Sequence, residues 1–150
     1  MKPKFIDYYM KIAEVTANLS YAKRLQVGAV IVKDNQILAT GYNGMPSGWE
    51  NICEDHFTMI NNNGERFIET KTKPEVLHAE SNALMKVAQS TESSKDSTLF
   101  CTHAPCIECA KLIYQSGIST VYYKEEYRSD TGLKFLRLSG VDVHQYSNSI

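Results

Sequence analysis

A continuous run of apolar residues, VGAVIV at 27–32, limits the folds that are open to this chain. A strand that is apolar along its whole length is typical of a sheet that is covered on both faces. A second apolar run, QILATGY at 36–42, follows after only three residues, and this spacing predicts a β-hairpin. The sequence therefore predicts a hairpin whose first strand is buried.

Helical and strand patterns alternate along the rest of the chain. They predict helices at residues 5–17, 75–89, 106–115 and 133–138, and further strands at residues 98–102, 118–123 and 141–146. This order predicts an α/β fold, a three-layer sandwich with a central mixed five-stranded sheet flanked by helices. The 150 residues have the length of one domain, so residues 1–150 are predicted to form a single domain.

One segment, about 45–75, interrupts this alternation. It lacks a clear periodicity and contains an NNNG tract and the sequence KTKP. A connection of this length is uncommon in a compact domain unless it carries function. We therefore expect an irregular insertion that is ordered at its ends and flexible in its middle.

The balance of charge argues against a dedicated nucleic-acid-binding protein. The chain has 16 Lys and Arg residues against 17 Asp and Glu, for a formal net charge of -1. A nucleic-acid binder needs a basic surface to gain from counterion release. No apolar run is long enough for a membrane span, and the charged start does not match a signal peptide. We expect a cytoplasmic protein whose cysteines are thiols or metal ligands.

Two short motifs, HAE from His78 and PCIEC from Pro105, carry the chemistry. The fixed backbone of Pro105 suits the first turn of a helix, which places Cys106 and Cys109 on one face. The positive end of the helix dipole favours their thiolate forms. With His78 they would give one zinc ion three protein ligands and an open position for water, as in catalytic zinc sites. Glu80 is expected to move protons rather than bind the metal.

A structural zinc site is the alternative interpretation of the two cysteines. It would be completed by His78 and one of Cys101, His103 or Cys53, and the protein would be a zinc-stapled binding module in which Glu80 is a solvated helix residue. His-x-Glu followed by Pro-Cys-x-x-Cys is instead the signature of zinc-dependent nucleobase deaminases, which favours an enzyme. Cys101 is then expected to be a packed thiol on its strand, and His103 a loop side chain beside the site.

Four blocks of sequence extend this similarity beyond the metal motif: RLQVGAVIV at 24–32, GYNGMPSG at 41–48, HAESNAL at 78–84 and CAKLIYQSGI at 109–118. The chain resembles the deoxycytidylate (dCMP) deaminases of the cytidine deaminase superfamily over most of its length. The resemblance implies a cytidine deaminase-like fold and the zinc-dependent hydrolysis of dCMP to dUMP and ammonia. The dUMP would feed dTTP synthesis.

The resemblance also implies substrate-binding roles for particular residues. Asn43 of GYNG would bind the deoxyribose, since an amide both donates and accepts hydrogen bonds, although an asparagine in a turn is the alternative. The backbone amide of Ala79 would meet the base carbonyl, and the backbone carbonyl of Ala104 the amine. Tyr127 would stack on the substrate or contact its phosphate, with an ordinary packed tyrosine as the alternative.

Two further sites are expected on the same grounds. Ser20, Lys23 and Arg24 precede the first strand and would bind a phosphate by charge-assisted hydrogen bonds, with a solvated charged turn as the alternative. The resemblance implies a homohexamer with an allosteric site, activated by dCTP and inhibited by dTTP, to which the GYNG loop contributes. The loop residues expected to take part are Gly44, Met45, Pro46, Ser47 and Gly48.

The sequence departs from the family pattern at Ala22, where many relatives have a cysteine that helps to hold a second, structural zinc. Cys53 remains, but Cys53 and His56 alone are too few ligands for a closed site, so we expect one catalytic zinc. The unusual 49–75 segment leaves dCTP as an additional or alternative substrate, in which case Mg²⁺ would accompany the triphosphate. A polynucleotide deaminase acting on tRNA or single-stranded DNA is a further alternative, which the balanced charge disfavours.

Overall fold

A mixed five-stranded sheet forms the centre of the protein in the computed structural model, which describes residues 1–148. The strands lie in the order β2–β1–β5–β6–β7, with β1 antiparallel to both neighbours and β6 parallel to both neighbours. In chain order the elements are α1 (Pro3–Ala17), β1 (Gly28–Lys33), β2 (Gln36–Tyr42), β3 (Glu54–Ile60), β4 (Arg66–Thr72), α2 (Ala79–Ala88), β5 (Thr98–His103), α3 (Ile107–Gln115), β6 (Thr120–Glu125), α4 (Thr131–Leu138) and β7 (Asp142–Gln145).

Helices cover both faces of this sheet. On one face, Val30 and Val32 of β1 pack with Met10 of α1. On the other face, Ala29 and Ile31 of β1 join a larger apolar cluster with residues of α2, α3 and α4. The apolar run at 27–32 is therefore buried from two sides, and the predicted three-layer sandwich is confirmed. Among the described residues, no helix combines the length and the apolar character needed to cross a lipid bilayer.

The contact between α1 and β1 depends on the absence of a side chain at Gly28. A Cβ atom at this position would lie 2.0 Å from the backbone oxygen of Ala13 and 2.6 Å from the backbone nitrogen of Ala17. Both atoms belong to the helix backbone, so no rotation of a side chain relieves the overlap. The first helix can therefore lie close to the central strand only while residue 28 is glycine.

We expect Gly28→Ala to lower the free energy of unfolding by about 3 kcal/mol, the upper part of the range for overpacked cores. The helix α1 would have to move away from β1 to make room for the added methyl group. Urea denaturation at a fixed zinc concentration measures the effect. Gly44→Ala is the matched control, because a Cβ at Gly44 meets no heavy atom within 4 Å. Equal losses of stability in the two variants would show that the close contact of α1 with β1 does not depend on Gly28.

Residues 54–72 form a second sheet of two strands, so the prediction of an irregular insertion is wrong for this part of the 45–75 segment. Strand β3 pairs antiparallel with β4, from Glu54 opposite Thr72 to Ile60 opposite Arg66. The side chain of Asn61 closes the tip, where its Oδ1 accepts hydrogen bonds of 2.9 Å from two backbone amides. We call β3, β4 and this turn the β3–β4 arm.

The β3–β4 arm carries apolar side chains that remain exposed. Phe57, Met59 and Phe67 share one face of the arm, as the strand register requires, and Ile60 and Ile68 share the other. These five side chains are between 40% and 71% exposed. Since neither face is buried, the arm lacks the alternation of apolar and polar residues by which sequence analysis recognises a half-buried strand.

Candidate metal centre

His78 stands at the start of α2, which begins four residues later than predicted. Leu77 exchanges backbone hydrogen bonds with Gly44 at 2.8 and 3.1 Å, so the chain before His78 is extended rather than helical. His78 itself has extended dihedral angles, φ -79° and ψ 152°, and occupies the position just before the first helical residue. The turn from extended to helical backbone separates the directions of His78 and Glu80, in line with the different roles predicted for them.

The two cysteines stand at the start of α3, as the proline before them predicts. Cys106 caps the helix, and its Sγ accepts a hydrogen bond from the backbone amide of Cys109 at 3.5 Å. Helix α4 packs directly against this segment: a Cβ at Gly132 would lie 2.1 Å from the backbone oxygen of Pro105. The position of Cys106 is thus fixed both by its own helix and by the helix that covers it.

These elements bring His78, Cys106 and Cys109 together. The Nδ1 atom of His78 lies 3.5 Å from the Sγ of Cys106 and 3.4 Å from the Sγ of Cys109. A tetrahedral zinc ion, with bonds of about 2.0 Å to nitrogen and about 2.3 Å to sulfur, places such atoms about 3.5 Å apart. The three ligand atoms lie within 4.8 Å of one another, and no fourth His, Cys, Asp or Glu among the described residues joins them. The donor set therefore fits zinc with three protein ligands.

The three groups share their protons through hydrogen bonds, which shift the pKa values in different directions. Hydrogen bonds with Cys109 and His78 lower the pKa of the Cys106 thiol to about 3. The hydrogen bond with Cys106, together with burial, raises the pKa of Cys109, because two adjacent thiols share one proton. The hydrogen bond with Cys106 also raises the pKa of His78. Cys106 thus favours the thiolate, which is the form that binds a metal, whereas Cys109 and His78 have to release their protons when a metal binds.

Glu80 lies in the first turn of α2, beside the ligands but outside their group. Its side chain is 4% exposed. Burial raises the pKa of the Glu80 carboxyl to about 7, against the smaller opposing effects of a backbone hydrogen bond and of His78. A carboxyl group with a pKa near neutrality can accept and release a proton at physiological pH. This is the property that the sequence motif predicts for Glu80.

One pocket opens onto the metal ligands and gathers most of the predicted substrate-binding residues. Its lining includes His78, Cys106 and Glu80 together with the predicted binding residues Asn43, Ala79, Ala104 and Tyr127. His103, expected beside the site on a loop, ends strand β5 and also lines this pocket. Segments that are far apart in sequence therefore form one cavity at the metal centre.

The side chain of Asn43 already supports the pocket wall. Its Oδ1 accepts a hydrogen bond from the backbone amide of Val27, and its Nδ2 donates to the backbone oxygen of Leu25, both at 2.8 Å. A carboxamide has a second N–H and further lone pairs, so capacity for a ligand remains. Asn43 is therefore both a structural element of the pocket and a candidate for sugar binding.

Ser20 and Arg24, predicted to bind phosphate, lie in different places. Ser20 is 5% exposed, outside the pocket lining, and its hydroxyl donates to the backbone oxygen of Asn43 at 2.7 Å. Arg24 lines an adjoining cleft together with Lys71 and Arg128. The cleft shares Tyr127 with the pocket. Sequence reasoning missed Lys71 and Arg128, because Lys71 lies in the segment that looked irregular and Arg128 lies between the predicted strand at 118–123 and the predicted helix at 133–138.

The glycine-rich loop predicted to bind effectors lines a separate pocket. Gly44, Met45, Pro46, Ser47 and Gly48 all border it, with Trp49 and Lys86 among the other lining residues. This pocket shares no lining residue with the pocket at the metal centre. The loop and the metal centre are connected by the Gly44–Leu77 backbone hydrogen bonds that precede His78.

The two remaining cysteines lie away from the metal ligands. Cys101 is fully buried on β5, and its Sγ lies 3.6 Å from the backbone oxygen of Tyr122. Cys53 is 1% exposed, and burial raises the pKa of its thiol. His56 instead contacts Thr70 on the exposed arm, with 2.9 Å between Nδ1 and Oγ1.

Comparison with known proteins agrees with the zinc site that the geometry indicates. A family model described as the cytidine and deoxycytidylate deaminase zinc-binding region matches residues 3–125. The chain is 36% identical over 148 residues to the deoxycytidylate deaminase of Saccharomyces cerevisiae, with coverage of 98% of this chain and 46% of that protein. It is 34% identical over 140 residues to ComE operon protein 2 of Bacillus subtilis, with coverage of 93% and 69%. The chain thus spans about half the length of the yeast relative.

A solved structure extends this similarity to three dimensions. The dCMP deaminase of cyanophage S-TIM5, in a complex with dCMP and dUMP, is 46% identical and superposes with a TM-score of 0.85, over 97% of this chain and 99% of that one. These matches confirm the resemblance seen in the four sequence blocks. Since the matched region covers most of the chain and includes His78, Cys106 and Cys109, the protein belongs to the cytidine and deoxycytidylate deaminase family.

Proposed function

We propose that the protein is a zinc-dependent hydrolase that converts dCMP and water to dUMP and ammonia. The observation that carries the proposal is the three-ligand set of His78, Cys106 and Cys109, with the buried carboxyl of Glu80 beside it in one pocket. The complex of the cyanophage relative with dCMP and dUMP supports the choice of substrate. The dUMP produced would supply dTTP synthesis.

Glu80 moves the protons in this reaction. When bound, zinc supplies a Lewis acid that lowers the pKa of water in the open position. Glu80 accepts a proton from the water whose oxygen adds to C4 of cytosine, and delivers this proton to the ring nitrogen. It then carries the second proton of that water to the amine, so that the C4–N bond breaks and ammonia leaves. Burial suits Glu80 to this work, because it raises the pKa of the carboxyl to about 7.

Backbone groups at the two helix starts orient the base. Ala79 is the first residue of α2, and the first amides of a helix have no partner within the helix. The Ala79 amide is thus free to donate to the base carbonyl. The backbone of Ala104 is held by a 2.8 Å hydrogen bond from its amide to the oxygen of Glu125, which leaves its carbonyl for the amine. Both residues are buried beside the metal ligands.

The charges in the adjoining cleft favour a substrate that carries a single phosphate. Arg24, Lys71 and Arg128 line it, and so do Glu125 and Glu126. The basic groups attract one phosphate, while the two carboxylates oppose a longer, more negative chain. We therefore infer that dCMP is preferred to dCTP, and that Mg²⁺ has no role unless a triphosphate binds.

The loop pocket is the place where we propose regulation. Backbone amides of a glycine-rich loop bind phosphates, and Lys86 adds a positive charge to the lining of Gly44–Gly48. We infer that dCTP activates and dTTP inhibits there, and that the active form is a homohexamer, as the family resemblance implies. The hydrogen bonds from Gly44 to Leu77 provide a route from this pocket to His78.

Ammonia release by the zinc-loaded protein tests the proposal. We expect kcat/KM for dCMP to exceed that for deoxycytidine by about 10²-fold or more, because the cleft binds the phosphate through charge-assisted hydrogen bonds. Turnover of dCTP should be weaker, and added dTTP should suppress turnover of dCMP. Preferred turnover of single-stranded DNA or tRNA would instead indicate a polynucleotide deaminase. No turnover by protein with a full complement of zinc would leave the binding module as the explanation.

A further inference from the structure

Glu54 is a buried acidic residue in the pocket that has no role in the chemistry described above. It is the first residue of β3 and is 5% exposed. Its Oε1 accepts hydrogen bonds from the backbone amides of Lys23, at 2.7 Å, and Arg24, at 3.1 Å. Burying a carboxylate costs free energy unless its oxygens are hydrogen-bonded. These two contacts offset that cost for Oε1, which is one of the two carboxylate oxygens.

The second oxygen of Glu54 faces open space. Within residues 1–148 every fully buried side-chain nitrogen or oxygen has a hydrogen-bond partner. Among the described residues, the side-chain hydrogen bonds of Glu54 all use Oε1. Oε2 must therefore be accessible to solvent, and the pocket at the metal centre is the space that Glu54 lines. The pocket thus contains an acceptor that the protein leaves free.

We propose that Oε2 of Glu54 binds the 3′-hydroxyl of the deoxyribose and makes the enzyme selective for nucleotides that have this hydroxyl. This inference rests on the proposed function. A carboxylate accepts hydrogen bonds and repels a phosphate, and dCMP has no cationic group, so the group of dCMP that Glu54 binds has to be a neutral donor. The donors of dCMP are the amine of the base and the 3′-hydroxyl of the sugar. The amine lies at the metal centre, which leaves the hydroxyl for Glu54.

The pocket wall supports a shared sugar site. Asn43 binds the backbone of Leu25 and Val27, and Glu54 binds the backbone of Lys23 and Arg24. Both side chains therefore hold the same short segment and line the same pocket. A hydroxyl group can donate to the carboxylate and accept from the amide at once. The two side chains together satisfy a sugar hydroxyl better than either one alone.

The same hydrogen bonds link the sugar site to the phosphate cleft. Glu54 holds the backbone of Arg24, while the guanidinium of Arg24 lines the cleft and donates to Thr72 at 3.3 Å. Thr72 is the residue opposite Glu54 in the strand register and also lines the pocket. The base of the β3–β4 arm thus sets the distance between the sugar hydroxyl and the phosphate.

The test compares dCMP with 2′,3′-dideoxycytidine 5′-monophosphate, which lacks the 3′-hydroxyl. We expect wild-type kcat/KM to fall by about 10²-fold or more on the dideoxynucleotide, since a site built to bind a hydroxyl discriminates strongly against its loss. In Glu54→Gln the preference for dCMP should shrink by about tenfold or more. Glutamine keeps an oxygen for the two backbone amides but places an NH₂ group where the free acceptor stood.

Asp55→Asn is the matched control, because it removes the same charge one residue away on a side chain that pairs with Lys73 at 3.6 Å outside this pocket. It should keep the full preference for dCMP. Equal wild-type kcat/KM for the two nucleotides would overturn the inference, as would a full preference in Glu54→Gln. If Glu54→Gln fails to fold, equal wild-type kcat/KM for the two nucleotides still overturns the inference.

Binding separates this inference from the proposed function. If zinc-loaded wild-type protein does not deaminate dCMP, the proposed function is wrong. Titration calorimetry with dCMP and its dideoxy analogue then still measures the contribution of the hydroxyl. Tighter binding of dCMP by about tenfold or more in the wild type, with a smaller difference in Glu54→Gln, supports the contact with Glu54, and equal wild-type dissociation constants overturn it.

Discussion

Replacing Glu80 by glutamine is expected to lower kcat for dCMP by about 10³-fold, within the usual range for the loss of a general acid–base group. Glutamine has nearly the same shape but cannot accept a proton from water and pass it on. His78, Cys106 and Cys109 are untouched by the change, so the variant should retain one zinc ion per chain. Steady-state ammonia release and metal analysis of the same preparation measure the two quantities.

A second variant and the metal content make this result decisive. Glu108→Gln is the matched control, because Glu108 is an exposed residue of α3 that pairs with Lys111 at 2.8 Å. It should keep wild-type turnover. If Glu80→Gln also retained wild-type turnover, Glu80 would not be the proton carrier and the zinc-stapled module would be favoured. Loss of zinc from Glu80→Gln would instead indicate that Glu80 supports the metal.

Replacing Cys109 by alanine is expected to abolish both zinc binding and turnover. The change leaves two ligands, His78 and Cys106, where catalytic zinc sites use three. After dialysis against a chelator that leaves the wild type loaded, we expect almost no zinc in the variant. Stability should also fall at low micromolar zinc, since a ligand present at 100 times its dissociation constant stabilises the folded state by about 2.7 kcal/mol. Metal analysis and thermal denaturation, with and without zinc, measure these effects.

Cys101→Ala is the control for the removal of a buried thiol. Cys101 is as buried as Cys109 but packs on strand β5 away from His78. Its loss should cost about 1 kcal/mol of stability, the scale of a small cavity, and leave zinc binding and turnover intact. Full zinc occupancy in Cys109→Ala under the same dialysis would show that the ligand set is different.

The metal centre could be predicted from sequence because its signals are local. Pro105 marks the start of α3, and the three-residue spacing of Cys106 and Cys109 brings both sulfurs to one side of that start. His78 and Glu80 likewise lie at one helix start, although that start falls at Ala79 rather than at residue 75. The difference arises because Leu77 pairs with Gly44, which lies 33 positions earlier and has no signature in the helix pattern.

Some residues in and around the pocket could not be predicted in the same way, because their positions depend on distant contacts. Ser20 has a side chain suited to phosphate, but its hydroxyl is taken by the backbone of Asn43. Glu54 looks like one acid among many in a polar segment, yet backbone amides 30 and 31 positions away hold it inside the pocket. The strands on either side of the Asn61 turn were missed because both of their faces are exposed.

The β3–β4 arm has a tip whose sequence can change and a base whose sequence has to be kept. At its base, the amide of Lys73 bonds to the oxygen of Cys53 at 2.8 Å, and Glu54 and Thr72 face the pocket. At its tip, residues 61–65 are exposed and bond only among themselves in the part of the chain that the structure describes. A peptide tag or a fluorescent reporter inserted at the tip would leave the pocket unchanged. One residue added beside Glu54 would turn its side chain to the opposite face of the strand.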